Sequence, residues 1–247
     1  MEEWIPYCWG WASALLMGFS KTGLPGVSIP AILLMTEAFG HDAKLAMGAM
    51  LPVLLVGDVF AVCWYRHHAQ WDRLWKLLPC VALGMVPGWI LLNSLEEGNR
   101  LRPILGVLIL VLLAVEIGRR WFDAQHVPRQ WWFVLLIGSL AGFSTILAHA
   151  AFPVMAIYLI SQEMNKHEFI GTAAWFFLIL NLAKVPVYWQ MGGMITVETL
   201  RFDLFVAPVG LVGGLLGVAF LTRIPQRLFN SLALILAGVA AVRLILV

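Results

Sequence analysis

The chain is 247 residues long, 61% hydrophobic and only 12% charged, with a net charge of +2 and a mean hydropathy of +0.87. Soluble domains are nearer half apolar and a quarter charged, so these proportions exclude a water-soluble globular protein and predict an all-α polytopic membrane protein. Three cysteines, Cys8, Cys63 and Cys80, sit in apolar segments without CxxC spacing; they read as buried small hydrophobes and imply neither a disulfide framework nor a metal site.

Apolar runs between charged or turn-rich breaks predict eight elements, near 4–36, 43–65, 72–94, 100–118, 130–161, 167–189, 203–222 and 226–246. The first opens on Met1-Glu2-Glu3-Trp4, acidic where a secretory signal is basic, so no cleaved peptide is expected. It runs to about 32 residues, too long for one crossing of ~20, and turn chemistry interrupts it at Gly18-Phe19-Ser20-Lys21-Thr22-Gly23-Leu24-Pro25-Gly26. The second carries an acid, Asp58, inside an apolar helix. Arg66, His67 and His68 follow in a basic loop that reads as solvated. The third and fourth elements are conventional spans. The fifth, again about 32 residues, is interrupted from Gly142-Phe143-Ser144-Thr145 through Pro153. The sixth holds Asn181 and Lys184, whose i, i+3 spacing places them on one helical face. Glycines 210, 213, 214 and 217 mark the seventh as a close-packing helix, within one protomer or between two. Many of the twelve tryptophans fall near segment ends, the pattern of an interfacial aromatic belt.

The two Gly-Phe-Ser interruptions lie 124 residues apart, Gly84 and Gly88 match Gly210 and Gly214, and Arg100-Leu101 matches Arg227-Leu228. This self-similarity predicts one duplicated membrane domain with halves at 1–125 and 126–247. If each broken element is a re-entrant hairpin followed by three transmembrane helices, the repeats are inverted. One face then collects Arg66, Arg73, Lys76, Arg119, Arg120, Arg129, Lys166, Arg223 and Arg227; the other collects Lys44, Arg100, Arg102 and Arg201. That asymmetry obeys the positive-inside rule, whereas full crossings would leave almost none. The expectation is a multi-pass plasma-membrane protein with both termini outside the cytoplasm.

Inverted repeats with interrupted segments point to a transporter's central site. A broken helix offers unpaired N–H groups and a positive dipole end to an anion. Ser20, Lys21, Thr22 and Gly23 from the first break, with Ser144, Thr145 and His149 from the second, are the candidate substrate-binding residues. Hydroxyls, amides and a lysine suit an oxyanion better than a bare metal cation, so no metal or cofactor is expected. Asp58, Asn181 and Lys184 are candidates for coupling or gating, since ionisable groups at depth are costly. The repeat sets Asp58 beside Asn181, and an Asp58–Lys184 contact is expected. No nucleophile elbow, zinc motif, P-loop or dinucleotide fingerprint is present, which argues against an enzyme and against an ATP-driven pump.

The string Gly18-Phe19-Ser20-Lys21-Thr22-Gly23, together with Gly171-Thr172-Ala173-Ala174-Trp175-Phe176-Phe177 and Asn181-Leu182-Ala183-Lys184-Val185-Pro186, resembles the TauE/SafE sulfite exporter family, also called the 4-toluene sulfonate uptake permease family. The resemblance spans nearly the whole chain. It implies a duplicated helical membrane fold and traffic in sulfite or organosulfonates, and it carries over Lys21, Thr22, Asn181 and Lys184 as signature positions. His149 and Phe152 depart from that family's common Asn and Gly. The expected partners are a small anion, the lipid bilayer and a second copy of the chain, with no nucleic acid. The alternatives are transport of another ion, including a cation through Asp58, or a non-transporting assembly factor.

Overall fold

The computed structural model describes residues 4–23, 27–94, 131–149, 166–190 and 192–221, with isolated positions between 107 and 118 and between 151 and 159. Seven α-helices are described: α1 Ile5–Thr22, α2 Ser28–Ala38, α3 Ala43–Tyr65, α4 Trp71–Ser94, α5 Trp131–Ala148, α6 Lys166–Gln190 and α7 Val197–Leu221. A short 3-10 turn, Arg66–His68, joins α3 to α4. No strand occurs among the described residues. Helices α3, α4, α6 and α7 are long and apolar enough to cross a membrane, and the protein is an all-helical membrane protein. The segment predicted at 226–246, most of the one predicted at 100–118, and Phe152 lie outside the described residues.

Local chemistry sets the boundaries. Asp42 caps α3 by accepting from the amides of Lys44 at 2.9 Å and Leu45 at 3.0 Å, a cap worth about 0.5–2 kcal/mol. Gly23 ends α1 with its amide on the Phe19 carbonyl at 2.9 Å. Helix α7 starts at Val197, six residues earlier than the hydropathy boundary at 203. Thr196 and Thr199 cap its first turn reciprocally, each hydroxyl accepting from the other's amide at 3.1 and 2.8 Å. Polar residues that end an apolar run can thus open a helix. Prolines 52, 79, 87, 186 and 208 lie inside long helices, as membrane helices tolerate.

The first broken element folds back on itself. Ser13 of α1 donates to the Ala31 carbonyl of α2 at 2.7 Å. Tyr7 near the start of α1 and Phe39 just past α2 both pack on Phe202 of α7, each with ring centroids 5.0 Å apart. The 18-residue α1 therefore runs about 27 Å inward and the chain returns to its starting level. Past α5 the chain also turns back. Gly138 of α5 abuts Cys80 of α4, yet Tyr158 reaches the Arg73 carbonyl, nearer the start of α4, with a 3.0 Å hydrogen bond.

Glycine sets the closest approaches. A Cβ on Gly18 would lie 1.7 Å from the Gly210 carbonyl oxygen, and one on Gly213 would lie 2.1 Å from that of Leu15. The α1 and α7 backbones therefore touch, running parallel from Gly10 at Phe202 to Gly23 at Gly217. The α4–α5 pair repeats the device: a Cβ on Gly84 would meet the Ser139 carbonyl at 1.9 Å, and one on Gly142 that of Val81 at 2.0 Å. Such contacts substitute for a hydrophobic driving force that lipid does not supply. Outward faces are apolar, with Leu204, Phe205, Leu83 and Ile90 exposed, and Trp4, Trp64, Trp75, Trp131 and Trp189 are exposed near helix ends.

The cysteines correct an expectation. Cys8 and Cys63 are exposed and Cys80 is half-buried, because the surface that meets lipid is as apolar as the core and does not force small hydrophobes inside.

Candidate functional site

Both Gly-Phe-Ser strings are helical, which moves the breaks. Helix α1 continues through Thr22, and α5 continues to Ala148. The second break comes at His149, whose φ of 48° lies in the left-handed region that few non-glycine residues other than Asn, Asp and His visit. Ser20, Lys21 and Thr145 consequently sit on the last turns of helices, where carbonyls are unpaired, rather than beside the free amides expected from the sequence. That end of a helix favours a cation, and Lys21 occupies the last turn of α1. A helix N-terminus does reach the site, through Ser28, the first residue of α2.

Ten residues line a cavity of about 40 Å³: Ser20, Lys21, Ser28, Leu54, Thr145, His149, Ala173, Ala174, Phe177 and Asn181. That exceeds the ~10–15 Å³ one water requires. Of the seven candidate binding residues, the structure brings Ser20, Lys21, Thr145 and His149 to it.

The other three serve packing. Thr22 donates to the Gly214 carbonyl at 2.6 Å, Gly23 would place a Cβ 2.8 Å from Gly217 Cα, and Ser144 bonds back to the Ala141 carbonyl at 3.2 Å.

Two polar clusters flank the cavity. In the first, Lys21 Nζ lies 2.5 Å from Asp58 Oδ1 and 4.6 Å from the centre of the Phe177 ring, while Asn181 donates to Asp58 Oδ2. Asp58 is fully buried, so its carboxylate is held by a cation and an amide rather than by water. In the second, Lys184 Nζ donates to His149 Nδ1 at 2.7 Å, to Thr145 Oγ1 at 3.1 Å and to the Thr145 carbonyl at 3.4 Å. A lysine ammonium has three N–H donors and no acceptor. The Met47 carbonyl can only accept, so His149 Nε2 donates to it at 3.0 Å and Nδ1 is turned to Lys184 Nζ.

The expected Asp58–Lys184 contact is replaced: Lys21 holds Asp58, and Lys184 turns to the second break. Among the described residues no carboxylate lies within ion-pair distance of Lys184, although its side chain is fully buried. A lysine at the centre of a membrane helix costs roughly 2.5–3.5 kcal/mol, and here its direct partners are hydrogen-bond acceptors. Tyr188 supports the cluster from below, packing edge-on against His149 with centroids 5.8 Å apart and donating to the Ile146 carbonyl at 2.6 Å. Ser28, Leu54, Phe177 and Tyr188 were not singled out as site residues from the sequence. Phe177 stood in the Gly-Thr-Ala-Ala-Trp-Phe-Phe string, one helical turn before Asn181, and that spacing was the available signal. No group of three or more metal-ligating side chains occurs among the described residues.

No curated protein and no solved structure matches the chain. A family model does: the one described as sulfite exporter TauE/SafE matches residues 8–244, which takes in every residue of the cavity and of both clusters, and the chain belongs to that family of membrane transporters.

Proposed function

We propose that the protein is a secondary transporter that carries a small sulfur oxyanion, sulfite or an organosulfonate, across the plasma membrane. The substrate binds in the cavity between the two breaks, against Ser20, Lys21, Thr145 and His149. Asp58, Asn181 and Lys184 set its charge and couple its movement to protons or sodium. The two halves, 1–125 and 126–247, are inverted repeats, and both termini face away from the cytoplasm.

The observation that carries this reading is Lys184, a fully buried lysine with no carboxylate within ion-pair distance among the described residues, bonded to two residues of the cavity wall. An uncompensated charge in an apolar interior is tolerated where it is used. Cation transport through Asp58 finds less support, since Lys21 and Asn181 already occupy both carboxylate oxygens.

The test is a thermal-shift titration of the purified protein with sulfite. At ligand about 100-fold above Kd, binding stabilises by about 2.7 kcal/mol and raises the melting temperature. Lys184→Gln is expected to remove that rise while leaving a folded protein. An undiminished shift in Lys184→Gln would falsify the site assignment.

A further inference from the structure

The charges around the cavity carry one inference, which rests on the anion-transport reading. Four titratable groups meet there: Lys21 from α1, Asp58 from α3, His149 following α5, and Lys184 from α6. Lys21 and Asp58 neutralise one another as a direct ion pair. His149 is neutral, because its Nδ1 accepts from an ammonium and its Nε2 donates to a carbonyl. Lys184 Nζ faces three acceptors, His149 Nδ1, Thr145 Oγ1 and the Thr145 carbonyl, and no carboxylate within ion-pair distance among the described residues, and we read it as an ammonium on that geometry. The polar groups that α1 and α2 add, Ser20 and Ser28, carry no charge, nor does Asn181. The described groups around the cavity therefore sum to a charge of +1.

We propose that the site is charge-matched to a monoanion, such as hydrogen sulfite or a short alkanesulfonate, and takes a dianion such as sulfite or sulfate only together with a proton. A monoanion in the cavity, whose Thr145 and His149 wall Lys184 bonds from behind, brings the buried cluster to neutrality. A dianion would leave a net negative charge among apolar walls, and desolvated unpaired charge is what such interiors reject. The wall itself is divided. Leu54, Ala173, Ala174 and Phe177 present carbon, while Ser20, Ser28, Thr145 and Lys21 present donors. A sulfonate head with a short alkyl stub has that same division.

Two anions of fixed charge separate the alternatives, because methanesulfonate is a monoanion and sulfate a dianion at every pH near neutrality. Calorimetric titration of the purified full-length protein is expected to show methanesulfonate binding about tenfold or more tighter than sulfate. The heat of methanesulfonate binding should not change with the buffer's ionisation enthalpy. Any sulfate binding should change with it, reporting proton uptake. Asp58→Asn raises the site's charge by one and is expected to reverse the preference, with sulfate gaining about tenfold over methanesulfonate.

Sulfate binding as tightly as methanesulfonate without proton uptake overturns the proposal and leaves the anion site standing. So does an Asp58→Asn protein that keeps the wild-type preference. Should Asp58→Asn fail to fold, the wild-type comparison and its buffer dependence decide alone. If neither anion binds at millimolar concentration, the transport reading falls and this inference with it.

Discussion

Thr22 and Ser20 are two residues apart and hold opposite jobs, which makes them the sharpest probe of the site at the scale of single side chains. Thr22 spends its hydroxyl on the Gly214 carbonyl, and Ser20 lines the cavity. Thr22→Val is expected to lower stability by roughly 0.6 kcal/mol, up to about 1.7 kcal/mol, as interhelical hydrogen bonds in membranes do. Its anion affinity should not change, whereas Ser20→Ala should weaken affinity and leave the melting temperature alone; identical effects of the two would mean that the cavity is wrongly drawn. The residue types were legible in the sequence, because a lysine, an aspartate and an asparagine inside apolar helices stand out without any structure. Their pairing was not. The i, i+3 rule correctly placed Asn181 and Lys184 on one face, but the long lysine stem carries its charge well beyond its Cα. Whether that charge meets Asp58 or His149 depends on how α3, α5 and α6 pack, which no local pattern encodes. The long-range Lys21–Asp58 pair escaped for the same reason.

At the scale of helices, backbone contact dominates. Gly18→Ala would drive a Cβ into the Gly210 carbonyl, a rigid neighbour that cannot rotate aside. The expected outcome is a loss of at least the 1–3 kcal/mol typical of about one methylene of overpacking, read as reduced folded yield in detergent. Gly118 meets nothing within 4 Å among the described residues, and Gly118→Ala should be silent in the same assay.

Helix α7 offers a second test in the buried carboxyl of Asp203, 4% exposed, neither of whose oxygens has a hydrogen-bond partner among the described residues. Unsatisfied buried polar groups cost about 1–3 kcal/mol, so Asp203→Leu, close in shape, should raise the melting temperature. A fall would reveal a partner for that carboxyl. Hydropathy located most of these elements within a few residues, because a bilayer demands long apolar helices whatever their packing. It misplaced the start of α7 and both breaks, since capping threonines read as loop and glycine reads as turn even where it serves helix contact.

For the molecule as a whole, the described residues divide between two faces. Lys44 and Arg201 belong to one, where Gly48 abuts Met194. Arg66 and Arg73 belong to the other, where Gly171 meets Tyr65 and His68 and Gln70 bonds Glu168. The proposed orientation puts the second face in the cytoplasm. In a cysteine-free background, His67→Cys should react with an impermeant thiol reagent only in inverted vesicles, and Glu198→Cys only in intact cells. Labelling with the opposite sidedness would reverse the topology.

The hairpin return was legible only indirectly, through the distribution of arginine and lysine. That helix α1 lies against α7, and α4 against α5, was not legible at all, since each partnership joins segments from different halves of the chain. It has a consequence for synthesis. Helix α1 emerges from the ribosome well before α7, and the surface that Gly18 and Gly23 are shaped to touch is translated more than 180 residues later. The hairpin must therefore wait in or near the bilayer with its glycine face and the Thr22 hydroxyl uncovered, which makes it a natural client for an insertase or membrane chaperone. A chain truncated before α7 should be recovered as a degradation substrate rather than as a stable half.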